Sequence, residues 1–386
     1  MTATDPRTVG VEEELLLVDA ATGRLAPAAV ELIARSGSVE DGTHVLSAEF
    51  KQEQIEIATR PFRDLADLST DLLDRHDHLA AAADRLGLLA CASGTSPCTG
   101  SPTAMPGGRF ARIGEEFGIV ATDQLTCGMH VHVAVRSPDE GIAVLDRIRV
   151  WLAPLVALTA NSPYWQGGDS GYASYRTVVL SALPPSGPAP VWGDLASYRR
   201  TFDQVLSTGA AFDAAMIYFD ARLSAKYPTV EIRVADVSRD HELTVAIAAL
   251  CRGLVETAAR DARAGRRPAD LATPVLRSAS WRAARHGMTD TLFDPSSLQL
   301  RPAWDVVDGM VHRLRDVLDQ HGDLDRVLVA LEGVRRCGTG AERQRAVRGT
   351  DGSAEQALRS CAVRNQLSGP VRAPDLGLVP QRTGSS

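Results

Sequence analysis

Lysine is almost missing from this chain: of its 41 basic residues, all but Lys51 and Lys226 are arginine. The bias itself reflects genome base composition more than function. It has one firm consequence, because the phosphate loop GxxxxGK[ST] requires a lysine and neither lysine sits in such a context, so a P-loop nucleotide site is excluded. The six cysteines (Cys91, Cys98, Cys127, Cys251, Cys337, Cys361) form no CxxC pair and no zinc-ligand spacing. That pattern fits a reduced intracellular protein. No run of 18 apolar residues occurs, and the opening MTATDPRTVG carries no apolar stretch, so neither a membrane span nor a signal peptide is expected. Basic blocks are absent too, and the net charge of −7 argues against nucleic acid or an anionic membrane as the main partner. The expectation is a soluble, cytoplasmic protein.

With 386 residues, 44% of them hydrophobic, the chain can bury a sizeable core. No linker divides it. The expected organisation is one catalytic domain over residues 1–366, followed by a disordered tail over 367–386 that ends in VPQRTGSS.

Strands are expected at 8–19, ended by the turn Asp19 to Gly23, and at 45–58, closed by Pro61. From Asp64 to Leu86 the apolar spacing changes to three and four (Leu65, Leu68, Leu72, Leu79), which predicts a helix stopped by Gly87. A strand at 88–93 and a loop rich in Gly, Pro, Ser and Thr at 94–109 follow. A strand around His130 and a helix over 139–160 come next. The segment 161–190 is too long and too polar-aromatic for a plain connection, and reads as substrate-binding. Beyond it are a helix near 196–208, a strand near 215–219 and the strand carrying Glu231. Helices at 241–264, 302–320, 324–337 and 353–366 complete the chain. Strands bearing polar pairs, with helices between them and gathered late in the sequence, predict an α+β fold on a mainly antiparallel sheet.

Three strand-like stretches each carry two polar residues at i and i+2: Glu12 and Glu14, His130 and His132, and Glu231 and Arg233. A strand sends such pairs to one face. Three pairs from distant parts of the chain imply one sheet whose face is a polar, metal-holding site. Glu12 and Glu14 would repel without a cation, and one acidity would fall sharply. A divalent metal removes that conflict, and oxygen ligands favour magnesium or manganese. The plain alternative is a solvated edge strand.

In the second strand, strict alternation puts Gln52, Gln54 and Glu56 on one face and Glu49 and Glu53 on the other. Gln54 and Glu56 are assigned to the site, with Glu49 able to reach it from the strand's start. For Glu53 and Lys51 a polar outer face is an equal reading. One of His130 and His132 is expected to ligate metal as neutral imidazole. Asp74, His76, Asp77 and His78 fall on the helix at 64–86, where i and i+2 do not share a face, and read as surface. Glu231 and Arg233 combine a ligand with an anion clamp, or alternatively form a cross-strand ion pair. Tyr175, Arg176 and Arg222 are further candidates for anion binding. Cys127 reads as a small buried side chain. Carboxylates, a histidine and arginines without a nucleophile motif suit phosphoryl transfer by positioning and charge neutralisation.

The segments TVGVEEELLLVD, EFKQEQIEIAT, CGMHVHV, NSPYWQGGDSGYASYR and YPTVEIRVADV, in that order, resemble the YbdK-type carboxylate–amine ligases, also called the glutamate–cysteine ligase 2 family. The resemblance runs from about residue 8 to residue 365. It implies a glutamine-synthetase-like antiparallel sheet that forms a funnel for ATP and Mg2+ or Mn2+. It also implies an acyl phosphate made from ATP, amide formation with an amine, and a weak joining of L-glutamate to L-cysteine. By motif position, Glu12, Glu14, Glu56, His130 and Glu231 would ligate metal. Arg233 would contact the transferring phosphate and Arg176 the substrate or phosphate, with Arg222 and Tyr175 on the nucleotide. A homodimer is expected from the same resemblance, and the loops at 94–109 and 161–190 would set specificity. The competing readings are a metal-dependent amide or phosphate-ester hydrolase, and a protein that binds nucleotide without turnover.

Overall fold

The computed structural model describes residues 5–36, 46–349 and 352–363. Among these, seven strands form one sheet, every pairing antiparallel: β1 Val9–Asp19, β2 Ser47–Ala48, β3 Gln54–Ala58, β4 Leu88–Cys91, β5 Gly128–Ala134, β6 Ala221–Leu223 and β7 Thr229–Asp236. The order is β6-β7-β5-β1-β3-β2. β4 lies beside the second half of β1, along the edge whose first half pairs with β5.

β1 explains its own two environments. Strand parity puts Val9, Val11, Glu13 and Leu15 on the core side, where Glu13 meets His76, while Glu12 and Glu14 face the other way. From Leu15 to Val18 the run is wholly apolar and wholly buried, because here both faces are covered. Asp19 ends the strand: its carboxylate accepts from Thr22 N and Oγ1, both at 2.7 Å. Gly23 completes the turn at φ +76°, a conformation that disfavours any side chain.

The back of the sheet packs on the helix His241–Arg263, which in turn contacts the helices Leu65–Asp84, Pro138–Ile148, Ala303–Gln320 and Leu324–Cys337. Val131, Val133, Val230 and Ile232 meet Val245, Leu250 and Leu254 in one continuous core. Leu65–Asp84 is capped by Asp64, whose carboxylate accepts from Ala66 N at 2.7 Å, a contact worth about 1 kcal/mol. Gly87 stops this segment at φ +67°.

Several expectations need correction. The stretch 45–58 is two strands separated by a turn, and residue 45 lies outside the described residues. The turn carries Lys51 and Glu53 inward rather than to an outer face. Lys51 donates to Thr122 O at 2.7 Å, and Glu53 accepts from Thr103 N at 2.9 Å. His76 is not on the surface: it is 4% exposed, and its Nε2 lies 2.6 Å from Glu13, whose other oxygen accepts from Thr244 Oγ1. The helix over 139–160 is interrupted by a 3-10 turn, Arg149–Trp151, before Leu152–Thr159. Pro154 accounts for the interruption, having no N–H for the Val150 carbonyl and a ring that crowds it. Near 215–219 only Tyr218–Phe219 is strand, following a 3-10 turn over Ala214–Met216. The helix placed at 353–366 ends at Ser360; Ala362 bridges to Cys91, and Val363 N donates to Ala90 O. The remainder of that helix and the tail at 367–386 lie outside the described residues. The helices Ala29–Ser36, Gly108–Phe117, Thr273–His286 and Gly340–Arg348 escape the sequence reading.

No helix among the described residues is long and apolar enough to cross a membrane.

Candidate active site

The open face of the sheet floors a cavity of about 860 Å³. Strand register lines up the polar pairs across it. Glu56 of β3 stands opposite Glu14 of β1, and Glu12 stands opposite His130 of β5. His132 then faces Glu231 of β7, and Glu231 faces Arg222 of β6. Five strands thereby present one row of side chains, as the i, i+2 parity requires.

Three overlapping groups of ligand atoms lie within metal-holding distance: Glu12 with His132 and Glu231; Glu12 with Glu56 and His130; and Glu14 with Glu49 and Glu56. Glu12, Glu14, Glu56, His130 and Glu231 are therefore brought together, and Glu49 and His132 join them. Glu49 reaches the site because the turn after β2 breaks the alternation that would have sent it to the other face.

The two sides of this row differ in charge. On the β1–β3 side burial pushes the Glu56 carboxyl up to about 10, reinforced by Glu49, Glu12 and Glu14. Burial and the Glu14 charge likewise raise Glu49 to about 7. Glu12 goes the other way: burial opposes ionisation, but hydrogen bonds from His130 and His132 hold it well below the usual carboxylate range. Glu14 accepts from Gly128 N at 2.6 Å.

On the β7–β6 side burial again disfavours charge on Glu231, yet Arg233 and Arg222 hold it at about 2. Arg222 Nε donates to Glu231 at 2.9 Å and its Nη1 to the carbonyl of Ile217 at 2.8 Å; Arg233 Nη1 donates to the other Glu231 oxygen. Burial and the Arg233 charge lower the basicity of His130, which keeps its imidazole neutral and able to ligate.

Arg233 owes its place to a β-bulge. The β5–β7 register shifts between Ile232 and Ala235, so Arg233 and Val234 together oppose His130. Arg176 lies beneath this bulge, donating to the carbonyls of Arg233 at 3.1 Å and Val234 at 3.4 Å, with Asp236 3.8 Å away. It packs on Gly128 so closely that a Cβ there would stand 2.1 Å from the guanidinium. Asp236 in turn accepts from Asn161 N, Ser162 Oγ and Ser174 Oγ at 2.8, 2.6 and 2.9 Å. This clamp fastens both ends of the 161–176 segment to the catalytic strand. Asp236 carried a readable signal, standing in VEIRVAD two residues after Val234, but nothing linked it to distant serines.

Tyr175 is not brought to the cavity. It packs against Trp165 and Tyr172, ring centroids 5.5 and 5.7 Å apart, on the far side of its short helix. Of the two loops assigned to specificity, 161–190 lines the cavity through Thr177, Ser181 and Leu183, while 94–109 reaches it through Arg109. Cys127 is buried, and burial pushes its thiol well above the usual range.

Comparison with known proteins identifies the family. The chain is 42% identical over 362 residues to a Streptomyces coelicolor protein provisionally named glutamate–cysteine ligase 2, covering 94% of this chain and all of that one. A Frankia alni relative of the same provisional name is 44% identical, covering 90% of this chain and 94% of its own. Among solved structures, the glutamate–cysteine ligase of Francisella tularensis in complex with AMP superposes with a TM-score of 0.68 at 13% identity, covering 92% of this chain and 88% of that one. The complex of the ubiquitin-like protein Pup with its ligase PafA superposes at 0.52, also at 13% identity, covering 93% and 73%. These two show a shared fold. Residues 8–362 match the model of glutamate–cysteine ligase family 2, and the chain belongs to that family.

Proposed function

We propose that this chain is an ATP-dependent carboxylate–amine ligase that activates L-glutamate as an acyl phosphate and joins it to an amine, L-cysteine being the first candidate. The observation that carries the reading is the row from Glu56 through Glu14, Glu12, His130 and Glu231, which ends beside Arg233 in a chain of this family. The names of the relatives supply the substrates.

A divalent cation fits the residues present. Four glutamates on β1, β3 and the turn between β2 and β3 converge, and burial with their mutual repulsion pushes Glu49 and Glu56 up to about 7 and about 10. Glu12, Glu14, Glu49, Glu56, His130 and Glu231 would hold it, and an oxygen-rich set suits Mg2+ or Mn2+. When bound, the metal supplies charge neutralisation for the polyphosphate. The chain's own residues do the rest. Arg233, beside Glu231, offsets negative charge on the transferring phosphoryl group. Arg176 fixes the bulge that presents Arg233, and the Asp236 clamp fixes Arg176. The substrate carboxylate attacks the γ-phosphorus and ADP leaves; the amine nitrogen then attacks the acyl carbon and phosphate leaves.

Six free cysteines support a reducing, cytoplasmic setting. A hydrolase would share the ligands, but the family gives it no support.

The test is ADP release from purified protein with magnesium, ATP and L-glutamate across a panel of amines including L-cysteine. ADP matched by a new amide, dependent on both substrates, is the expected result. Absence of nucleotide binding overturns the reading.

A further inference from the structure

The β6–β7 ladder continues one rung past its named strand. Arg222 faces Glu231, Ala221 faces Ile232, and Arg233 N donates to Asp220 O at 2.9 Å. Asp220 therefore shares the face of Arg222, beside Arg233, and it lines the cavity. Among the described residues its carboxylate has neither a hydrogen bond nor an ion pair, unlike Glu12, Glu231 and Asp236. Burial pushes its acidity down, to a pKa of about 7, with Arg176 and Arg277 offsetting only part of that. A carboxylate in such a place gains most from a cation brought by the ligand.

Arg277, on the helix Thr273–His286, lines the same cavity and likewise has no ion pair or hydrogen bond among the described residues. Gly187 lies between the two: its carbonyl accepts from Asp220 N at 3.0 Å, and a Cβ on it would stand 3.9 Å from Arg277 Nη2. One wall thus offers an unpaired anion and an unpaired guanidinium side by side. The complementary ligand is a zwitterion.

We infer that Asp220 and Arg277 form the amine subsite, Asp220 taking the substrate's ammonium group and Arg277 its carboxylate, so that the amine is an amino acid. The inference rests on the ligase reading above. The ammonium group gives one proton to the Asp220 carboxylate, leaving a free amine. The amine's lone pair forms the C–N bond as the acyl C–O bond to phosphate breaks. Phosphate departs with that electron pair and takes the second nitrogen proton as hydrogen phosphate; Asp220 returns its proton to water.

The experiment compares three nucleophiles with magnesium, ATP and L-glutamate: L-cysteine, cysteamine (the same molecule without its carboxylate) and hydroxylamine, which is uncharged at neutral pH. Asp220→Asn is expected to lose amide formation with L-cysteine by roughly 10²-fold or more while keeping hydroxamate formation. Arg277→Met is expected to raise KM for L-cysteine about tenfold, leaving kcat and the cysteamine KM unmoved. Equal losses with all three nucleophiles in Asp220→Asn would overturn the assignment. So would discrimination by carboxylate that vanishes in Lys226→Met, at the same cavity, but survives in Arg277→Met. A wild-type protein that forms no hydroxamate would overturn the ligase reading itself, before the subsite is at issue.

Discussion

Glu56, half-buried, and Glu231, buried, sit on one face of one sheet, and they are held in opposite states. Burial, reinforced by three neighbouring carboxylates, raises Glu56 to about 10; against the same effect of burial, Arg233 and Arg222 hold Glu231 at about 2. The residue type is the same, so the difference lies wholly in the company each keeps. The β1–β3 side gathers carboxylates that disfavour one another's ionisation. The β7–β6 side is already neutralised and has guanidinium to spare for a phosphate. On the ligase reading proposed above, holding a metal–polyphosphate and moving one phosphoryl group would use both, adjacent and distinct.

Breaking the neutralised side has the largest effect. Glu231→Gln is expected to cut ATP-dependent turnover by about 10²-fold or more. It also leaves Arg222 and Arg233 without their shared anion, at a stability cost on the order of 3 kcal/mol. Steady-state kinetics with a denaturant titration checks both. Glu56→Gln tests the other side and separates the two effects. Because burial and the neighbouring carboxylates favour the neutral form of Glu56, the substitution is expected to leave metal-free stability at pH 7 within about 0.5 kcal/mol while turnover falls by roughly 10-fold to 100-fold.

The pH dependence follows with a definite sign. Glu49 and Glu56 have folded-state values of about 7 and about 10, above the ordinary 4.5. Their contribution to metal-free stability is complete below about pH 4.5 and is lost as pH rises through those folded values. Metal requires the ionised forms, so the rise in Tm caused by Mg2+ is expected to grow from pH 6 to pH 9. A Tm increment that is flat or shrinking over that range would contradict the account. The smallest effect distinguishes the histidines. His130, enclosed by Glu12, Glu14 and Arg233, is expected to cost more activity as His130→Asn than His132→Asn does, by about tenfold, in side-by-side kcat/KM measurements.

Much of this site could be read before any coordinates, for one physical reason. Strand parity is strict, so ExE, HxH and ExR each announce a shared face, and three such faces in one protein must be neighbours if they are to be satisfied. Parity fails where the backbone leaves the strand. Strict alternation puts Glu49 on the opposite face, and the turn that brings it into the site is not marked by glycine or proline. The bulge at Arg233 and Val234 is equally silent in sequence, and with it the role of Arg176. His76 is legible as buried: it falls four residues after Leu72 and three before Leu79, on the buried stripe, and that i and i+2 do not share a helical face says nothing against its burial. Pro154 announced its helix break just as openly. Asp220 offered nothing, since a lone aspartate before a three-residue strand acquires meaning only from the unpaired space around it.

The central claim is that the acid-rich half of the floor is a cation site kept protonated until the cation arrives. Calorimetric titration of Mn2+ into the protein at pH 7, in two buffers of different ionisation enthalpy, counts the protons released. The account predicts saturable binding with release of about one proton or more, and loss of that release in Glu56→Gln. Binding with no proton release, or release that survives Glu56→Gln unchanged, would contradict it.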